Sequence, residues 1–203
     1  MPPALDSPVG APQDGPGGGL RRRSVVQDSH GEFILAASLI PVFRREDGEL
    51  AVVLVRRTEW GIHGGQLAFP GGKHDPGDQN LLETALREAW EEIGLPREAV
   101  TLLATLPPLA TVSTGFLIHP FLARIRRPAQ WHRQEREIAE ILEVGLRDLL
   151  SPEAQGEEVL QFPAWPEPRR FPFTRIGPHK LWGATYRILT PLLPRLLQGE
   201  WEI

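Results

Sequence analysis

The sequence predicts an α/β sandwich rather than a helical bundle. Three observations predict it. Apolar runs of strand length recur from residue 33 to residue 144, one amphipathic helix bounded by start and stop signals interrupts them near residues 81–93, and a second helical run follows near the C-terminus. A chain of 203 residues suits one domain with a sizeable core and is short for two.

Residues 1–31 read as a disordered tail, because PPALDSPVGAPQDGPGGGL buries too little apolar surface to offset ordering entropy. Arg21, Arg22 and Arg23 form a short basic cluster on it, expected to be solvated. The folded domain is expected over 32–203. FILAASLIPVF (33–43) and LAVVLVRR (50–57) are strand candidates, and the Asp47-Gly48 turn signal between them predicts a hairpin. QLAF (66–69) is a short strand ended by Pro70-Gly71-Gly72, and KHDPGDQ is a polar loop. After the helix, further strands are expected at 99–106, 116–125 and 140–144. The run from Lys180 to Leu197 reads as helical, bent or shortened by Pro191 and Pro194.

Composition removes several function classes. A net charge of −4 argues against a broad nucleic-acid-binding face. The sequence has no cysteine, which excludes disulfides, thiolate nucleophiles and Cys-ligated zinc and fits a cytoplasmic protein. No apolar run reaches the roughly 18 residues of a membrane span. The N-terminal stretch lacks the apolar centre of a signal peptide.

The segment NLLETALREAWEEIGLP carries the chemistry. Asn80 is placed to cap the helix, with Glu83 completing a capping box, and Gly94 with Pro96 ends it. Leu82, Ala85, Leu86, Ala89 and Ile93 recur at helical spacing and predict a buried face. Glu88, Glu91 and Glu92 are expected on the opposite side. Glu88 and Glu92 are four residues apart, where like charges destabilise a helix unless something compensates. Grouped carboxylate oxygens suit Mg²⁺ or Mn²⁺. A solvated acidic face partly neutralised by Arg87 is the alternative.

In its full run, GGKHDPGDQNLLETALREAWEEIGL, the segment resembles the Nudix box, G-x5-E-x7-R-E-U-x-E-E-x-G-U with U apolar. Gly72, Arg87, Glu88, Ala89, Glu91, Glu92, Gly94 and Leu95 match it in order. Gly72 and Arg87 stand one residue further apart than in the general pattern. Gln79 holds the nominal glutamate position, with Asp78 beside it as the substitute. The resemblance implies a Nudix-type α/β/α sandwich with a mixed β-sheet. It implies that Glu88 and Glu92 hold the metal with Glu91 assisting, that the Gly72 carbonyl adds a ligand, and that Arg87 orients the carboxylates. Metal would neutralise diphosphate oxygens and lower the pKa of a bound water. A general base is expected outside the box, from Glu137 or Glu140, with Glu140 preferred because it leads into an apolar strand.

The preceding segment VVLVRRTEWGIHGGQLAFPGG (52–72) resembles that of the coenzyme A pyrophosphatase branch. Gly65, Phe69, Pro70, Gly71 and Gly72 fit. Arg56 or Arg57 takes the place of the first arginine if one residue is deleted before His63, and Gly61 stands where a second arginine is expected. STGFLIHPFLARI and LWGATYRIL resemble later parts of the same branch. Arg56, Arg57, His63 and Phe69 are therefore the candidate substrate contacts, with Trp60 a further stacking candidate and Trp182 expected in the core. The expected partner is a small nucleotide diphosphate, with neither nucleic acid nor membrane. Three readings stand: a diphosphatase acting on coenzyme A or its derivatives, one acting on another nucleoside diphosphate derivative such as ADP-ribose, a dinucleotide or an NTP, and a non-catalytic nucleotide sensor.

Overall fold

The structure is a computed structural model and describes residues 24–28, 31–59, 64–111, 114–161 and 167–203. The tail residues 1–23, Trp60, Gly61 and His63 lie outside the described residues. Among those described, no helix is long and apolar enough to cross a membrane.

The main sheet is built around β2 (Gly31–Arg44). Strand β1 (Val25–Asp28) pairs with its first residues, inside the stretch read as tail. The expected hairpin forms: β2 turns at Gly48, φ 84°, into β3 (Leu50–Arg57), with Val42 opposite Val52. Two short strands follow, β4 (Leu67–Ala68) against β3 and β5 (Gly71–Lys73) against β2. After helix α1 (Leu81–Ile93) come β6 (Val100–Thr105), β7 (Leu109–Thr111), β8 (Phe116–Ile125) and β9 (Ile138–Gly145). β2 and β8 run parallel while the other pairs are antiparallel, so the sheet is mixed.

The alternation of β3 separates two cores. Ala51, Val53 and Val55 pack with Ala85, Ala89 and Ile93 of α1. Leu50, Val52 and Leu54 face the other way, into a core closed by Leu189, Leu193 and Leu196. The sheet is thus the middle layer of an α/β/α sandwich.

The C-terminal region corrects the expected single helical run. His179–Leu181 form strand β12, helix α2 spans Gly183–Leu189, and α3 spans Leu193–Leu197. Strand β12 completes a three-stranded sheet with β10 (Gln155–Leu160) and β11 (Arg169–Ile176). Lys180 and Leu181 are held as strand by pairing with Arg175 and Thr174. Pro191 falls between the helices and Pro194 in the first turn of α3, where its missing N–H costs nothing. Trp182 is the residue just before α2 and meets Phe171 edge-on at 6.0 Å.

Candidate active site

Helix α1 starts as expected, with Asn80 Oδ1 accepting the Glu83 N–H at 3.0 Å. The capping box is only half made, because the Glu83 carboxylate pairs with Arg97 instead of returning to Asn80. Gly94 ends the helix at φ 67°, and a Cβ there would lie 2.7 Å from His132 Cβ. The segment that supplies His132 satisfies two terminal carbonyls. His132 N–H donates to Ile93 O at 3.2 Å and Gln134 N–H to Glu92 O at 3.0 Å. That docking carries Glu137 to the box.

The three glutamates do not share a solvent-facing side, which corrects their expected placement. Glu92 follows Ala89 by three residues and Ala85 by seven, so it turns inward with them and is 1% exposed. Its Oε2 accepts the Gly71 N–H at 3.0 Å, and its Oε1 accepts Arg57 Nη1 at 3.3 Å. Burial pushes its pKa up to about 8. Arg57 and the Gly71 N–H oppose the rise, and Glu88 and Glu137 add to it. Glu88 is raised for the same first reason, with Arg87 opposing and Glu91 and Glu137 adding. Gly72 lies against Glu88 so closely that a Cβ would sit 2.5 Å from its Cδ. A side chain at this position would push that carboxylate out of its present place.

Arg87 organises the outer side. Its Nε and Nη2 grip Asp78 Oδ1 and Oδ2 at 2.9 and 3.0 Å, a bidentate pair. Its Nη1 reaches Glu88 Oε1 at 2.9 Å and Glu91 Oε2 at 3.2 Å. Asp78 Oδ2 also accepts the Thr84 hydroxyl at 2.7 Å and the Asp75 N–H at 3.1 Å. The Arg87 guanidinium first of all holds its pKa down to about 2. Asp78 therefore anchors Arg87 and ties the loop to the helix.

The two adjacent arginines of β3 part company. Arg57 faces α1, where Nη2 also stands 3.8 Å from Glu137 Oε2. Arg56 points to the opposite face, donating to Glu140 Oε2 at 3.4 Å and Glu59 Oε1 at 2.9 Å. The His179 ring contacts the same Glu140 oxygen at 3.0 Å. Glu137, not Glu140, thus joins the box, since Glu140 is paired with Arg56 across the ladder and shares its face. Phe69 corrects the stacking expectation: it is 4% exposed, its ring taken up by the core beneath α2 and α3. His179 went unnoticed in the sequence because nothing near it marks a site.

Glu88, Glu91, Glu92 and the Gly72 backbone offer oxygen donors alone, a set that fits Mg²⁺ or Mn²⁺. Glu92 is buried and Glu88 half-buried beside it, a crowding of acids that a divalent ion would relieve. As they stand, Glu88 and Glu91 each lean on Arg87, and no three acidic or imidazole groups among the described residues close around one point.

The NUDIX domain family matches residues 33–171. The chain belongs to that family. The match takes in the Nudix helix α1, the loop with Gly72 and the segment that brings Glu137. Among curated proteins, the chain is similar to the uncharacterized Nudix hydrolase NudL of Yersinia enterocolitica, 43% identical over 116 residues, 57% of this chain and 58% of that one. NudL of Pectobacterium atrosepticum is 43% identical over 112 residues, 55% of this chain and 57% of the relative. The chain thus spans less than two thirds of the length of the curated relatives it matches. Among solved structures, the Nudix hydrolase RenU of M. smegmatis has 26% identity and a TM-score of 0.52, covering 63% of this chain and 82% of that one. A MutT/nudix family protein from Enterococcus faecalis shares the fold, with 16% identity and a TM-score of 0.56 over 81% of this chain and 62% of its own.

Proposed function

We propose that this Nudix chain is a metal-dependent diphosphatase that cleaves coenzyme A or its derivatives to 3′,5′-ADP and the phosphopantetheine part. The observation that carries the diphosphatase reading is the pair Glu88 and Glu92, the first half-buried and the second buried, set against the backbone of Gly72 and Gly71. Bound Mg²⁺ or Mn²⁺ supplies positive charge at the diphosphate and acidifies water. Arg87 holds Glu88 and Glu91 in place, and Arg57 holds Glu92. Glu137, at the edge of the cluster, is the carboxylate suited to take a proton from water. The coenzyme A reading is supported by the resemblance of residues 52–72, and a water-attack mechanism agrees with a chain that has no cysteine. Gly61, in place of an expected arginine, favours the second reading: another nucleoside diphosphate derivative such as ADP-ribose, a dinucleotide or an NTP.

Incubation with Mg²⁺ and a panel of coenzyme A, ADP-ribose, a dinucleotide and an NTP tests both. Coenzyme A should be cut fastest, and in ¹⁸O-labelled water one label should enter a single phosphate product. Glu88→Gln and Glu92→Gln should each lower kcat by roughly 10²-fold or more, because they remove metal-held charge stabilisation. Glu137→Gln should lower kcat by about 10²-fold as loss of a base does. Unchanged kcat in Glu88→Gln and Glu92→Gln would end the metal assignment.

A further inference from the structure

Thr84 lies one turn before Glu88 on the same flank of α1 and is completely buried. Its hydroxyl makes two short contacts, to Asp78 Oδ2 at 2.7 Å and to His74 Nδ1 at 2.8 Å. A third neighbour, Asn80 O, is farther off at 3.4 Å and already takes the Thr84 N–H at 3.2 Å.

A hydroxyl has one proton and two lone pairs. Asp78 has no proton to offer, because it sits in the Arg87 fork as a carboxylate. The Thr84 proton therefore points at Asp78. Turned elsewhere, it would leave lone pairs facing each other across 2.7 Å. With that proton engaged, Thr84 meets His74 as an acceptor, and Nδ1 must carry a hydrogen. Counting hydrogens thus fixes the neutral ring of His74 as the Nδ1–H tautomer, with Nε2 bare.

Both ends of this line are pinned. His74 N–H donates to Leu35 O at 2.9 Å, two residues beyond Gly72, and its side chain is 16% exposed. Asp78 also takes the Asp75 N–H at 3.1 Å, and its side chain is 7% exposed. From Asp78 the line runs on to the acidic site. Arg87 grips Asp78 with Nε and Nη2, and its Nη1 donates to Glu88 Oε1 at 2.9 Å. A planar guanidinium held along one edge is fixed along the other. Hydrogen bonds that point one way, largely shielded from water, strengthen each other.

We propose that His74 and Thr84 are positioning residues of the acidic site: the Nδ1–H of His74 and the hydroxyl of Thr84 set Asp78, and Asp78 sets the Arg87 fork that places Glu88. Neither residue touches metal or substrate in this scheme. The inference rests on the reading of Glu88 as a metal ligand.

Nitrogen-15 NMR of the imidazole rings tests the first half. The neutral ring of His74, identified by the signals lost in His74→Asn, should show a protonated Nδ1 and a bare Nε2. Calorimetric titration with Mg²⁺ tests the second half without turnover as the readout. Thr84→Val keeps the shape and deletes the hydroxyl, and should weaken Mg²⁺ binding by about tenfold, a loss of the size seen when the partners of metal ligands are removed. Thr84→Ser, which keeps the hydroxyl, should stay within about twofold of the parent. His74→Ala should weaken binding by about threefold, and His74→Asn, whose amide N–H stands near the place of Nδ1–H, should recover most of that. Thr84→Val combined with His74→Ala should bind within about twofold of Thr84→Val alone, because the two residues act in one line. If Thr84→Val does not fold, the two His74 variants and the ring signature decide. A bare Nδ1, parent-like Mg²⁺ binding by Thr84→Val or His74→Ala, or losses that multiply in the double variant overturns the inference and leaves the diphosphatase reading standing. A parent that neither binds Mg²⁺ nor hydrolyses any diphosphate overturns both.

Discussion

Glu92 shows what a buried acid does to the protein that contains it. Its folded pKa of about 8 lies above the ordinary 4.5, so folding favours its protonated form. The stability this contributes is complete below about pH 4.5 and is lost as pH rises through 8. Asp78 runs the other way. Its folded pKa of about 2 stabilises the fold above its ordinary 3.8 and stops doing so as pH falls toward 2. In EDTA, the melting temperature of the parent should therefore decline between about pH 5 and 8. Glu92→Gln should remove most of that decline and melt higher than the parent at pH 8, while losing activity. A Glu92→Gln protein that melts lower than the parent at pH 8 would show that the carboxylate is structural. Asp78→Asn leaves the Arg87 fork one charged acceptor short. It should cost about 1–3 kcal/mol in urea unfolding and reduce kcat, because Arg87 also places Glu88. The acidic box was legible in the sequence. The burial of Glu92 was readable only from its spacing to Ala85 and Ala89, and the charge pattern outweighed that spacing.

At the level of elements, helix α1 was the easiest to read, because its end signals are local: Asn80 at the start and Gly94 at the close, bounding Leu81–Ile93. Gly94 combines a left-handed backbone with contact to His132, so Gly94→Ala should destabilise by at least about 1 kcal/mol. Because the same junction sets Glu137, the variant should also lose kcat, and a melt paired with an activity assay reads both. The hairpin at Asp47-Gly48 and the span of β8 were also expected from turn chemistry and β-branched or apolar runs. The β10–β12 sheet was not. Its central strand contains Pro172, which argues against a strand in sequence terms. Among the described residues β12 pairs only with residues 174–176, which leaves Pro172 with a strand neighbour on one side there. Lys180 and Leu181 were read as helix for a related reason: strand pairing with β11 is a distant contact that no local propensity records. Glu140 was misplaced relative to the box because the face of a strand residue depends on its partner, here Arg56.

For the molecule as a whole, the sheet is a partition. Ile93 belongs to the core under α1, and Leu189 to the core under α2 and α3. Each, cut to Ala, should cost about 2–5 kcal/mol. Together across the sheet they should add to within about 0.5 kcal/mol, whereas Ile93→Ala with Ile138→Ala, both in the α1 core, should depart from additivity by more. A double-mutant cycle from denaturant melts decides it, and strong coupling between Ile93 and Leu189 would mean the two layers behave as one. If they are independent, the molecule has two ledgers of tolerance. Substitutions on the Glu140 side can accumulate without disturbing the helix that carries Glu88 and Glu92. A lineage could then remodel the far face while inheriting the acidic helix unchanged.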